Sequence, residues 1–581
     1  MAAIKLTGFI GEQPLIKPHL LPDTAAQDAF DLRLDDGGLT PIRQPVQVDT
    51  AGSATDKTII KFGGEWLSFA NEVHAVPGPV ADDRLYFTGD GVPKMRVAGE
   101  TYDLAVPAPT TALGTAVSGA GTGNVATRLY VYTFVTAFGE ESEPSPPSAD
   151  TDWQAGQTVT LSGFEDAPTG RNITKQRIYR SQTGEVGTYL YFIAERDVSN
   201  GDFADNVPVD AFNEPLPSAD WNAPPDGLSG IISLPNGMMA AFSGKDLYFS
   251  EPWRPHAWPE KYVQTTDYPI VALGAVGSVL IVMTEGQPYY ITGSHPSVMR
   301  MDKIEKNLPC INSRAVVDLG YAIAYPSRDG LVVIGGDVNP RIVTANLFNR
   351  DKWLALSPET AVASQISGRY VLFYNTQDSK ANVVAGALFI DVGGTPYLLR
   401  SSAKASAVWY DLTESKLYFL KLGSDDICEF DPTIGSAAIY SWRSKEFRLT
   451  APTNFGLIQV DAESKLSEEE VERIDADIAA TAQANADLIA AGPINGELNS
   501  HVLNAYTVGG DMLAPLPDAA VTPEVTIFAD GTPVASVNTI NRPVRLPSGF
   551  LARSWEVAAK GRTSISQILL GHTISDLKQV V

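Results

Sequence analysis

The sequence predicts a mainly β protein: a β-propeller-like platform, interrupted by a small β-sandwich and followed by a C-terminal β-rich module with one long helix. Three observations lead there. Glycine (49) and proline (40) punctuate short apolar runs along the whole chain, the pattern of many strands joined by many turns. From Ile231 to Trp442 those runs are β-branched and aromatic and almost nothing reads as helix. At 581 residues one core is too few. A four-stranded blade takes about 40–45 residues, so the stretches on either side of the sandwich hold roughly six or seven blades. Two stacked β-sandwiches are the alternative.

Residues 1–50 read as an extended N-terminal arm. Pro14, Pro18 and Pro22 fix φ and lack a backbone donor, so the arm cannot be a helix or a central strand. It runs from Gly11-Glu12-Gln13 into a tight turn at Asp36-Gly37-Gly38, and is expected to lie against something outside the chain's own core. Residues 51–105 form the first part of the platform, with strands at Thr58–Phe62, Glu65–Phe69 and Arg84–Phe87 and turns at Gly63-Gly64 and Gly89-Asp90-Gly91. Residues 106–225 hold the inserted sandwich with its linkers. The Thr/Ala/Gly/Ser stretch over 105–123 reads as a hinge. Leu129–Ala137 alternates as a strong strand, Glu140–Pro147 reads as a polar, Pro-rich loop, and residues 205–225 read as a second linker. Residues 226–450 complete the platform; Leu-Tyr-Phe recurs at Leu85, Leu247 and Leu417, a weak repeat.

The C-terminal module spans residues 451–581. Its helix is expected over 467–491, because Ser467 and Glu470 make a capping box and Gly492-Pro493 stops it. Val471, Ile474 and Ile478 fall on one face and form a narrow packing stripe. Glu468, Glu469, Glu470, Glu472, Asp475 and Asp477 crowd the first turns and are the candidate acidic cluster.

The formal net charge is −25. A surface that grips nucleic acid needs excess Lys and Arg, so tight nucleic-acid binding is disfavoured. Cys310 and Cys428 are far apart and form no CxxC motif, which points to reduced thiols made in a cytoplasm. Met1-Ala2-Ala3-Ile4-Lys5 has no apolar run of the signal-peptide type, and no run approaches a transmembrane length.

No catalytic, cofactor-binding or metal-ligating set emerges. His19, His74, His256, His295, His501 and His572 are scattered, without HxH or HxxxH spacing. There is no GxSxG elbow, no phosphate-binding loop and no GxGxxG after a strand. Ser294 and His295 are neighbours, but adjacent residues of a strand face opposite ways. The segment Glu251–Pro259 sets Trp253 and Trp258 near Arg254, either as a sugar-stacking surface or as a packed loop between blades.

Several phrases carry a family resemblance. They include Leu234-Pro235-Asn236-Gly237, Leu247–Pro252, Pro255–Pro259, Tyr289–Gly293, Cys310–Ala315, Tyr325–Leu331 and Trp442–Phe447, together with the arm. In these the chain resembles the β-propeller tail-nozzle or tail-tubular virion proteins of short-tailed double-stranded DNA phages. The insert resembles the fibronectin type III/Ig-like modules of phage tail proteins. The resemblance implies a structural, non-enzymatic virion protein, made in the bacterial host cytoplasm. It implies a homo-oligomeric, commonly hexameric, ring that extends the DNA ejection channel. Implied partners are portal-adaptor proteins, tail fibres or spikes, and DNA that passes without sequence-specific binding. The acidic helix start then either faces the channel, where carboxylates keep the duplex from sticking, or lies on the outer surface, where its charges only meet water. The alternative is a tail protein that binds or cleaves host-surface carbohydrate.

Overall fold

Alternate residues of a single strand, Met238–Ser243, enter two different cores. Met238 and Ala240 join Leu234, Leu247, Phe249, Leu280 and Val282. Met239 and Ala241 join Tyr86, Met95, Ile231 and Trp258. Side chains alternate across a strand, so a sheet covered on both faces needs a continuous apolar run rather than apolar–polar alternation. The Met-Met-Ala-Ala-Phe run supplies it. A computed structural model describes residues 3–184, 187–208, 211, 214–377, 383–394, 396–463, 468–491, 514 and 523–579. Strands take 49% and helices 7% of it, as a mainly β chain requires. It divides into two units: Met1–Ala54 with Asp329–Leu331 and Ile342–Val581, and Thr55–Arg328 with Val332–Arg341.

The unit built around Thr55–Arg328 begins with a hairpin, Thr58–Phe62 against Glu65–Phe69. Its two-residue turn, Gly63-Gly64, has φ of +61° and +85°, the left-handed pair that matches strand twist. Four-stranded antiparallel sheets follow in chain order. The first holds His74–Pro77, Arg84–Thr88, Lys94–Val97 and Glu100–Asp103. The second holds Ser229–Leu234, Met238–Ser243, Asp246–Phe249 and Gln264–Thr265. The third holds Ile270–Val276, Val279–Thr284, Tyr289–Thr292 and Arg300–Lys303. Ala322–Ser327 belongs to the next. Ser229–Leu234 packs beside His74–Pro77 and beside Ile270–Val276, which in turn packs beside Ala322–Ser327.

Between the first two sheets the chain makes three smaller ones over Gly114–Asp205. They share a core of Tyr130, Tyr132, Phe134, Val159, Leu161 and Ile178. The stretch expected as a hinge supplies one strand, Gly114–Ser118, and the first two residues of another, Thr122–Arg128. Its small, polar residues suit exposed edge positions, so composition alone misled. The second expected linker is also tied down: Glu214 accepts from the Phe192 N–H and Leu216 donates to Leu190.

The expected Pro-rich loop is an edge partner for the strand Tyr130–Thr136. Ser142, Ser145 and Ser148 recur every third residue. Their N–H groups donate to the carbonyls of Phe134, Tyr132 and Tyr130 at 2.9, 2.8 and 2.9 Å. Their hydroxyls accept from the N–H groups of the same three residues at 3.0, 3.2 and 3.0 Å. Each serine thus satisfies both backbone groups of one strand residue, and the prolines between need donate nothing. Three residues of this segment match two of the strand.

In the other unit the arm is not an arm. Ile4–Leu6 pairs with Ile565–Gly571, Ala26–Phe30 with Tyr440–Ser444, and Val46–Thr50 with Asp426–Glu429. Ile4, Leu6, Phe9, Ala26 and Ala29 are buried with Trp442, Trp555, Ile568 and Leu570. The expectation that this segment lies against something outside the chain is therefore corrected. Pro14, Pro18 and Pro22 fall between the first two strands, where no ladder donor is missed. The Asp36-Gly37-Gly38 turn stands as expected, with Leu32–Arg33 paired to Thr40–Pro41 around it.

Gly11 and Glu12 fix the arm to the edge of Leu398–Ser401. Backbone bonds run both ways between Glu12 and Leu398, at 2.8 and 3.1 Å. A Cβ on Gly11 would stand 2.3 Å from the Leu398 carbonyl oxygen, so the approach needs glycine. The Glu12 carboxylate is buried; it accepts from the Ala29 N–H at 2.8 Å and lies 2.9 Å from the Arg400 guanidinium. Burial pushes its pKa up from 4.5 to about 7, against the pull of Arg400. Burial wins because the Arg400 side chain is 39% exposed and its charge is partly screened.

Two outcomes follow. Ser145→Ala leaves the buried Tyr132 N–H without its acceptor and should lower stability by about 1–3 kcal/mol, seen as an earlier urea midpoint; Ser145→Thr, which keeps the hydroxyl, should lose less. An unchanged midpoint for the alanine variant contradicts the edge role of the serines. Because the folded pKa of Glu12 is raised, the native state holds the extra proton between pH 4.5 and about 7. Its contribution favours folding at the acid end of that window and declines as pH rises through it. Glu12→Gln should therefore gain on the native protein across this window, by up to about 3 kcal/mol, with no further change above it. Thermal unfolding against pH measures this, and a pH-independent difference would overturn it.

Candidate functional site

The acidic helix forms over Glu468–Ala491. Ser467 and the side chains of Glu468, Glu469, Glu470, Val471, Glu472, Ile474 and Asp475 lie outside the described residues. Asp477 is exposed and accepts from the Ser436 hydroxyl at 2.8 Å. Ile478 is half-buried. A carboxylate between two and three turns into the helix, exposed and bonded to the Ser436 hydroxyl, is a surface charge. It makes no reactive pair.

Among the described residues no three His, Cys, Asp or Glu side chains group as a metal site, and no helix is long and apolar enough to cross a membrane. Cys310 and Cys428 are buried free thiols. Burial pushes the Cys310 thiol up to about 12, which withholds the nucleophilic thiolate. His295 Nδ1 lies 2.8 Å from the Ser297 hydroxyl and accepts from the Ser297 N–H. It caps the short turn Pro296–Val298; Ser294 instead offers its carbonyl to the Asn236 amide.

A buried polar cluster joins the inserted sheets to the first four-stranded sheet. Glu140 pairs with Arg171 and lies 3.8 Å from Arg84. Glu141 accepts from Thr133 and Tyr179 at 2.8 and 2.5 Å and pairs with Arg177 at 2.8 Å. Phe138 packs edge-on to Tyr102, with Arg84 over its ring. His256 Nε2 sits 3.2 Å from the Glu141 carbonyl oxygen, a distance at which it donates when that nitrogen carries the proton. Burial, then Arg171 and Arg254, lower its pKa from 6.5 to about 3, so the ring is neutral. Glu140 Oε1, two Arg171 nitrogens and His256 Nδ1 are buried in this cluster without a hydrogen-bond partner, so the network is only partly satisfied, and charge and ring contacts carry the rest of the join.

The two tryptophans of Glu251–Pro259 part company. Trp258 is buried and donates its indole N–H to the Pro255 carbonyl at 2.7 Å. Trp253 is exposed and has φ of +60°. Nearby, the second and third sheets of this unit enclose a cavity of about 210 Å³ beneath the turn Pro235–Gly237. The sequence singled out the two tryptophans but held no sign of which would be displayed. The cavity was not foreseen, because its walls come from two successive sheets whose packing no local pattern reveals.

No family model and no curated protein matches the chain. Solved structures similar to it include an exo-β-1,3-galactanase of Phanerochaete chrysosporium with β-1,3-galactotriose, at 9% identity, covering 59% of this chain and 95% of that one, TM-score 0.20. Another is Kluyvelomyces marxianus Hsv2, at 10% identity, covering 49% of this chain and 88% of that one, TM-score 0.19. At such scores these likenesses say nothing about activity.

The neutral state of His256 has a measurable consequence. A depressed histidine pKa leaves the unfolded chain holding more protons from pH 6.5 down to about 3, so this contribution to stability is full above 6.5 and is lost on acidification. The imidazole carbon-bound proton signals of His256 should not shift until pH nears 3. A midpoint close to 6.5 contradicts the burial account.

Proposed function

We propose that this chain is a structural, non-enzymatic protein of a phage tail, a nozzle or tail-tube component. Its copies close into a homo-oligomeric, hexameric ring around the DNA ejection path. The observation that carries this reading is the succession of four-stranded antiparallel sheets, each beside the next and buried on both faces where cores lie between them. In the other unit Val46–Thr50 adds an N-terminal strand to Ala405–Asp411, Lys416–Lys421 and Asp426–Glu429, a four-stranded sheet completed by the N-terminal segment, which supports a propeller-like blade there. Such a block is stiff and leaves only short strand edges. The shared core of Gly114–Asp205 supports a fibronectin type III-like insert, which the Glu140–Arg171 cluster holds in place. The functional half of the reading rests on the resemblance of the quoted phrases to those of tail-nozzle proteins.

A closed ring needs one heterologous contact repeated about an axis. With its first fifty residues folded into its own sheets, the chain builds that contact from other surfaces. Portal-adaptor proteins above and fibres or spikes beside it are the partners. DNA passes a wall that does not grip it, in keeping with a net charge of −25. Electron microscopy of the purified full chain should show closed rings, and antibody labelling of virions should fall on the tail axis. A monomer at micromolar concentration, or label confined to peripheral spikes, overturns the proposal.

A further inference from the structure

The fold seats Trp253 with care and then leaves it in water. The residue holds φ of +60°, a strained conformation for a bulky side chain, and is 53% exposed. Its N–H donates to the Gly237 carbonyl at 2.9 Å. Its ring rests where a Gly237 side chain would stand: a Cβ there would come within 2.4 Å of the indole Cδ2. Asn236, one residue before, is also left-handed, at φ +63°. Strain of this kind marks places where display matters more than local comfort.

The surroundings state the chemistry. Arg254 is exposed; its Nη1 donates to the Trp253 carbonyl at 3.2 Å while its guanidinium lies over the Trp221 ring, 5.4 Å from the centroid. Glu251 Oε2 accepts from the Tyr262 hydroxyl at 3.0 Å, which leaves Oε1 for another donor. Asn236 Nδ2 donates to the Ser294 carbonyl at 3.1 Å. Gly237 lies between Asn236 and Met238, and both line the cavity of about 210 Å³ with Leu234, Leu280, Ile291 and Ser294. Drug-sized ligands take roughly 300–1,000 Å³, so this space suits a single ring.

We propose that Trp253 and the adjoining cavity form a binding site for a neutral pyranose unit of an oligosaccharide. The C–H face of the sugar stacks on the exposed indole, and its hydroxyls meet Arg254, Glu251 and Asn236. A flat aromatic with polar groups around its edge fits a ligand that is apolar on its faces and hydroxylated on its rim. A protein partner would call for a wider apolar patch; here one exposed indole rests on Gly237, with the polar residues Glu251, Arg254 and Asn236 close to the two in sequence. A nucleotide would bring phosphate to a chain of net charge −25. This site stands whether or not the chain forms rings.

Saturation-transfer NMR on the full chain, with millimolar maltotriose, cellotriose, lactose and N,N′-diacetylchitobiose, tests it. At least one should receive saturation at its pyranose ring protons. Trp253→Ala should weaken that binding at least tenfold, the equivalent of about 1.4 kcal/mol, and Trp253→Phe should weaken it less. Thermal midpoints of both variants should match the native protein, since the ring is solvent-facing. No transfer to any of the four sugars overturns the proposal. So does transfer that Trp253→Ala leaves intact, or a Trp253-dependent self-association in sedimentation without sugar binding.

Discussion

The contact between Gly11-Glu12 and the edge of Leu398–Ser401 is the join on which one half of this protein depends. It brings a segment from the start of the chain against strands nearly four hundred positions later, at a separation that only glycine permits. Once made, it sets the register of everything around it. Ala29 lies opposite Trp442, Ile4 opposite Leu570, and Val46 opposite Glu429. A one-residue slip would turn each strand's apolar set outward, and Trp442, Trp555 and Ile568 would lose their cover together. Closing such loops is entropically expensive and must be offset by burial across many strands at once. The ledger of contacts is therefore cooperative by construction.

The other unit solves its problem locally. Its four-stranded sheets pair strands in chain order, and apolar runs such as Met238–Ala241 or Val279–Met283 serve two faces. Local pairing of this kind lowers contact order and lets sheets form one after another. The insert interrupts the series without loosening it, because Glu140, Glu141 and Phe138 tie its base to Arg84, Tyr102 and His256. Rigidity at that base is what a side domain needs if it is to hold a neighbour at a fixed angle.

Much of this was legible in the sequence. Short β-branched and aromatic runs gave the strands, and paired glycines gave the turns, because both signals are local. Two readings failed and a third, the loop at Glu140–Pro147, held only in part, for reasons that can be named. The arm looked unpartnered because its partners are strands from the far end of the chain, which no local pattern reveals. Residues 105–123 looked like a hinge because exposed edge strands and linkers share small, polar side chains. Glu140–Pro147 looked like a loop because prolines cannot join a ladder, yet the serines at every third position do the bonding for them. The period was visible as Ser142, Ser145 and Ser148, but a three-residue rhythm beside a two-residue strand is not a pattern that secondary-structure rules anticipate. The candidate site was half legible: Trp253 and Arg254 stood out, while exposure and backbone strain belong to the fold.

The arm as an integral part of its unit, rather than a flexible extension, is the claim from which the other assignments follow. Native-state hydrogen exchange read by mass spectrometry tests it directly. The amides of Ile4–Leu6, Ala26–Phe30 and Val46–Thr50 should exchange with the same free energy as those of Tyr440–Ser444 and Ile565–Gly571, in one cooperative opening. Early, independent exchange of the first fifty residues, with the later strands still protected, would contradict the account.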